Sequence, residues 1–106
     1  MKNIIAIVLL IMAGLSLKAA DIRTDTITVS GNCEMCEMRI TSAAKIKGVQ
    51  SVSWDMDTQK LTVTYDAEKT SLEKIEQRIA AAGHDTEHVK ASENAYQSLH
   101  NCCKYR

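Results

Sequence analysis

An α+β sandwich, one antiparallel sheet with two helices on one of its faces, is the fold class that the amino-acid sequence predicts. Three observations carry it. Polar and apolar residues alternate over three short segments, and two stretches repeat apolar residues at helical spacing. With a weaker final segment, the elements also follow one another as β-α-β-β-α-β, the order of a ferredoxin-like sandwich. Residues 24–30 put Ile27 and Val29 on one face and Thr26 and Thr28 on the other, as a half-buried strand requires. Over 34–47, Cys36, Ile40, Ala43 and Ala44 recur at helical spacing, and Gly48 supplies the stop. Val52, Trp54 and Met56 then alternate with Ser51, Ser53 and Asp55. A turn over 57–60 leads into Leu61, Val63 and Tyr65, which alternate with Thr62 and Thr64, so this stretch is a hairpin. Thr70 with Glu73 makes a capping box. Leu72, Ile75, Ile79 and Ala82 mark one face of the second helix, which Gly83 ends. The last strand, over 84–90, is expected chiefly because the order demands it.

The chain has 106 residues, room for one domain, and its 45% hydrophobic content excludes general disorder. Residues 4–17 are an apolar run between Lys2 and Lys18, which reads as a secretory signal peptide over 1–19. The run is short for a membrane-spanning helix, which leaves an uncleaved anchor as the alternative, and no cysteine follows it to carry a lipid anchor. The mature protein is expected to start at Ala20 and to be soluble and periplasmic. Without Lys2 and Lys18, 11 basic residues face 13 acidic ones, a formal charge of −2 that gives nucleic acid no basic surface. Export also permits disulfides, and four cysteines allow three full pairings.

Cys33 and Cys36 form a C-x-x-C pair where the first strand gives way to the first helix. One thiolate in a loop and one in the first helical turn can point at a common ion about 2.3 Å from each sulfur. Sulfur ligands select soft ions such as Cu(I) and Zn(II). The unpaired N–H groups of the helix start favour thiolate over thiol at Cys36. Glu34 and Glu37 oppose that effect, and Arg39 reinforces it. Met35 and Met38 are read as packing or partner-facing residues rather than ligands.

Cys33-x-x-Cys36, Ile40 one helical turn beyond, Gly48-Val49, Thr58, Tyr65-Asp66 and Ala82-Gly83 together resemble the heavy-metal-associated domain, the module of copper chaperones and periplasmic mercuric-ion-binding proteins. The resemblance covers about 25–91, and a domain over 20–91 is expected. It departs at Gly31, where the family usually has methionine, and at His84, where it often has an aromatic or lysine. The resemblance implies a metal-transporting membrane protein, or another metal-binding domain, as partner. In such a fold the start of strand four lies beside the end of strand one. His84 is therefore a candidate third metal ligand or hydrogen-bond partner of a thiolate, while His88 is expected to be solvated.

Residues 92–106 read as a short helical, Cys-rich tail with Ser92 as its cap. His100, Cys102 and Cys103 are a candidate second metal site. Strand four should end about 20 Å from the C-x-x-C loop, so the two cysteine clusters are expected to meet only through an extended tail. The function expected is that of a non-enzymatic, exported soft-metal-ion binder, a metallochaperone or scavenger, that passes its ion on by ligand exchange. Cu(I) is favoured, with Hg(II) and Zn(II) as alternatives. A periplasmic thiol-disulfide redox protein using the same pair is the competing class. It is weakened by the lack of any proline for the cis-proline that a thioredoxin fold places opposite its active pair.

Overall fold

The computed structural model describes residues 20–106, so the leader expected over 1–19 lies outside the described residues. Strands β1 (Ile22–Thr28), β2 (Val49–Asp55) and β3 (Lys60–Asp66) form an antiparallel sheet in the order β1-β3-β2. Side chains alternate across a strand, so Leu61, Val63 and Tyr65 of β3 turn into the core. Thr62 and Thr64 point the other way and meet Thr26 and Thr24 of β1 through hydroxyl contacts of 3.2 and 2.9 Å. Helix α1 (Glu34–Ala44) buries Cys36, Ile40 and Ala44 at four-residue spacing, and helix α2 (Leu72–Ala81) buries Ile75 and Ile79. These faces close over the sheet as the periodicity predicts.

Three local expectations are corrected. Helix α1 ends at Ala44 rather than at Lys47, because Lys45 N turns to Ser42 O at 3.3 Å and Ile46 N to Ala44 O at 2.9 Å, which closes the helix before Gly48 is reached. The cap of α2 is Ser71, whose hydroxyl accepts from Lys74 N at 3.2 Å. Thr70 is instead held by its own N–H to Asp66 O at 3.0 Å, which completes a turn after β3 and moves the helix start one residue on. The fourth strand is reduced to an isolated antiparallel bridge between Val29 and Thr86. Its cause is Glu76, a carboxylate on α2 that is only 2% exposed. Glu76 accepts from the Thr86 hydroxyl at 2.8 Å, from His88 N at 3.0 Å and from His88 Nδ1 at 3.0 Å. A buried carboxylate needs such partners, and gathering them folds the segment back at Thr86 N to Val89 O, 2.8 Å, before it can run along β1. His88 is exposed, as expected of a solvated residue, its side chain 59% accessible, while its Nδ1 also meets that carboxylate.

The early turn sends the tail back toward the end of β1. Ser92 caps helix α3 (Glu93–Gln97) by accepting from Ala95 N at 3.1 Å, and a 3-10 turn follows at Asn101–Cys103. Tyr96, Leu99 and Cys103 join the same core as Ile40, Leu61 and Ile79. Packing is therefore continuous across residue 91. Gly83, at φ +107, makes room for the tail, since a Cβ there would lie 2.8 Å from both Ala95 O and Leu99 Cδ2. Among the described residues no helix is long and apolar enough to cross a membrane.

Candidate metal centre

The loop between β1 and α1 is shaped from below by Trp54. Its indole N–H donates to Val29 O at 3.0 Å, which lays the ring under the loop. A Cβ on Gly31 would come within 3.0 Å of that ring and 3.1 Å of Cys36 Cβ. Glycine stands at this position because the indole already fills the space beneath it. The loop delivers Cys33 to the cap position of α1, with extended backbone, and Cys36 to the buried face of the first turn. Their sulfurs are 3.1 Å apart.

A third thiol arrives from the tail. Cys103 Sγ lies 3.4 Å from Cys33 Sγ, and the sulfurs of Cys33, Cys36 and Cys103 are all within 4.8 Å of one another. The expected separation of the two cysteine clusters is thereby corrected. It assumed a full fourth strand, and the turn imposed by Glu76 removes that strand. All four cysteines are free thiols; Cys36 and Cys103 are buried, Cys33 is half-buried and Cys102 is exposed. Cys102 Sγ is 3.9 Å from Cys103 Sγ and 3.6 Å from Met35 Sδ. His100 is exposed at the start of the 3-10 turn and is not among the clustered groups.

The thiols are electrostatically unequal. Burial acts to raise the Cys33 pKa, but hydrogen bonds from the Cys36 thiol and backbone, and from the Cys103 and Cys102 thiols, outweigh it. The result is a fall from 9.0 to about 7. Burial, reinforced by the facing thiols of Cys36, Cys33 and Cys102, pushes the Cys103 thiol up. Of these two, Cys33 gives up its proton before Cys103, because the neighbouring sulfurs solvate its thiolate. Arg39, expected to act on the thiols, instead donates from Nη2 to Ala82 O at 3.3 Å, at the C-terminus of α2.

His84 lies under the loop, fully buried. Its Nδ1 donates to Ser30 O at 2.8 Å and its ring stacks on Tyr105 at 5.7 Å, so it braces the loop while remaining outside the sulfur cluster. Burial, partly opposed by the Ser30 bond and joined by the Arg39 charge, lowers its pKa and keeps the ring neutral. Sequence reasoning missed two other residues of this region. Asn32 accepts from Cys36 Sγ at 3.3 Å and donates to Lys104 O at 3.2 Å, tying the loop to the tail. The Tyr105 hydroxyl donates to Gly83 O at 2.8 Å and accepts from Asp85 N at 2.7 Å. An asparagine inside a cysteine loop was the available signal for the first; nothing local marks the second.

Burial pushes the Tyr105 pKa up from 10.0 to about 12, so the folded tail selects the neutral phenol. Its contribution to stability is complete below pH 10 and is lost as pH rises from 10 through about 12. The urea midpoint is expected to fall across that window, and Tyr105→Phe to flatten the fall.

The model of the family described as "Heavy-metal-associated domain" matches residues 26–85, more than half of the chain. A zinc-transporting ATPase of Synechocystis sp. is 35% identical over 77 residues, which are 71% of this chain and 11% of the ATPase. The chain thus spans only a small part of that relative. Copper chaperone CopZ of Staphylococcus haemolyticus is 36% identical over 61 residues, 56% of this chain and 90% of the chaperone. The mercuric transport protein periplasmic component of Pseudomonas aeruginosa is 33% identical over 64 residues, 58% of this chain and 70% of that protein. Among solved structures, oxidized MerP from Ralstonia metallidurans CH34 superposes with a TM-score of 0.58 at 33% identity, covering 61% of this chain and 93% of that one. With its strand order, its two covering helices and its C-x-x-C loop at the start of α1, the chain belongs to the heavy-metal-associated domain family.

Proposed function

We propose that this protein binds a soft metal ion through the thiolates of Cys33 and Cys36 and hands it to a partner by thiolate exchange. The observation that carries this reading is the approach of the two sulfurs to 3.1 Å, one half-buried and one buried, at the start of α1. A soft ion entering between them displaces a proton from each thiol that is still protonated, so apparent affinity weakens as pH falls. Cys33, the more accessible of the pair, is the first to engage the ion and the first to yield it. A partner thiolate attacks from the open side, shares the ion, and leaves Cys33 free to take back a proton.

Cu(I) is the favoured cargo because two sulfurs suffice for it, while Hg(II) and Zn(II) are the alternatives. Similarity to a copper chaperone, a mercuric transport component and a zinc-transporting ATPase supports a soft cargo of this class. A metal-transporting membrane protein, or a second metal-binding domain, is the receiver. Export to the periplasm is part of the reading, supported by the apolar run over 4–17. The protein has no catalytic task in this scheme. The redox alternative is disfavoured by the lack of any proline for the cis-proline that a thioredoxin fold places opposite its active pair.

Competition titration of the reduced protein with Cu(I), Zn(II) and Hg(II) tests the proposal. One ion is expected to bind tightly per monomer and to be lost in Cys33→Ser/Cys36→Ser. Tight binding that survives the double substitution would refute the assignment.

A further inference from the structure

The cluster holds one more sulfur than a C-x-x-C site supplies. Resting on the metal-binding reading above, we propose that the tail closes the site, so that the ion is held by three thiolates, Cys33, Cys36 and Cys103, in one chain. The ligand class this selects is a soft, thiophilic ion that accepts trigonal sulfur coordination.

The spacing of the sulfurs supports three ligands over two. Around an ion about 2.3 Å from each sulfur, trigonal thiolates lie about 4.0 Å apart and linear ones about 4.6 Å apart. Observed separations are 3.1 Å for Cys33 to Cys36 and 3.4 Å for Cys33 to Cys103, with no pair in the trio beyond 4.8 Å. Opening the trio to a trigonal site needs shifts below about 1 Å, whereas a linear site on Cys33 and Cys36 needs about 1.5 Å.

The third thiol is also preorganised. On its N-terminal side Leu99 is buried against Gly83. On its C-terminal side Lys104 O accepts from Asn32 Nδ2, and Tyr105 is bonded to both Gly83 O and Asp85 N. Beyond that, Arg106 Nη2 pairs with Asp85 Oδ1 at 2.8 Å. A ligand pinned on both sides gives up little further freedom when it binds. While Cys36 is still a thiol, Asn32 links the two halves directly, since the same amide that holds Lys104 also accepts from Cys36 Sγ. Cys102, exposed beside Met35, sits outside the trio and serves as the internal control.

X-ray absorption of the reduced full chain loaded with one equivalent of Cu(I), together with competition affinities, decides the matter. Three sulfurs per Cu(I) in a monomer are expected for the wild type and for Cys102→Ala, and two for Cys103→Ala, with affinity weakened roughly 10²-fold by loss of the tethered ligand. Because Cys103 is buried and its replacement can disturb folding, the isosteric Cys103→Ser is the second variant, and two sulfurs are expected there as well. Tight binding with two sulfurs in the wild type overturns the three-thiolate site and leaves the Cys33 and Cys36 reading standing. A count that falls in Cys102→Ala but not in Cys103→Ala also overturns it. Absence of tight binding in the wild type, or its survival in Cys33→Ser/Cys36→Ser, brings down both readings together.

Discussion

Replacing Trp54 with alanine is expected to lower the stability of the fold by about 3–5 kcal/mol, the cost of deleting a buried indole and leaving its cavity. The ring is only 4% exposed, and its N–H holds Val29 O, the last β1-side carbonyl before the cysteine loop. Alanine removes the volume, the hydrogen bond and the floor beneath Gly31 in one step. For a domain of this size each kcal/mol moves the melting temperature by roughly 4–8 °C, so the variant should melt tens of degrees lower. Calorimetry of the metal-free reduced protein measures this directly. Trp54→Phe, which keeps a ring but no donor, should fall between the two. A melting temperature within a few degrees of the wild type in the alanine variant would contradict the position assigned to the indole.

Gly83→Ala should have the second-largest effect, and for a different reason. At φ +107 an alanine is strained, a cost of roughly 1–3 kcal/mol. Its methyl would also lie 2.8 Å from Ala95 O and 2.8 Å from Leu99 Cδ2. Neither a helix backbone nor a buried leucine yields easily at that distance, so the strain is relieved by lifting α3 and Leu99 away from Gly83. The expected signature is local. Cys103, buried in the wild type, becomes open to alkylation in the folded protein, while amide protection in β3 is largely retained. Unchanged protection of Cys103 would show that the tail does not depend on the close approach at Gly83.

The hairpin and both main helices were legible because their order comes from short-range patterning. Ile40 and Ile79 sit where periodicity puts them, and Cys33 and Cys36 fall at the strand-to-helix junction read from the chain. Ser71 displaced Thr70 as the cap because the preceding turn is set by Asp66, and cap position follows turn geometry that periodicity does not report. The fate of 84–90 was hidden for a deeper reason. Glu76 falls four residues after Leu72 and three before Ile79, on the apolar face of α2, where its charge reads as out of pattern, and burial there makes its carboxylate collect Thr86 and His88. That side chain truncates the fourth strand, and the truncation redirects the tail. Cys103 therefore reaches the loop through a chain of tertiary causes, none of which leaves a mark near residue 103.

The meeting of Cys33 and Cys103 joins residues 70 positions apart, which bears on the order in which the molecule acquires its parts. Helical turns and the β2–β3 hairpin close short loops and form early, since bringing their ends together sacrifices little chain entropy. Closing Cys33 on Cys103 therefore sacrifices far more chain entropy than closing Cys33 on Cys36. Loosening of the tail alone would leave the thiol pair near the start of α1 in place, open to oxidants and to soft ions in a form less enclosed than the folded protein presents.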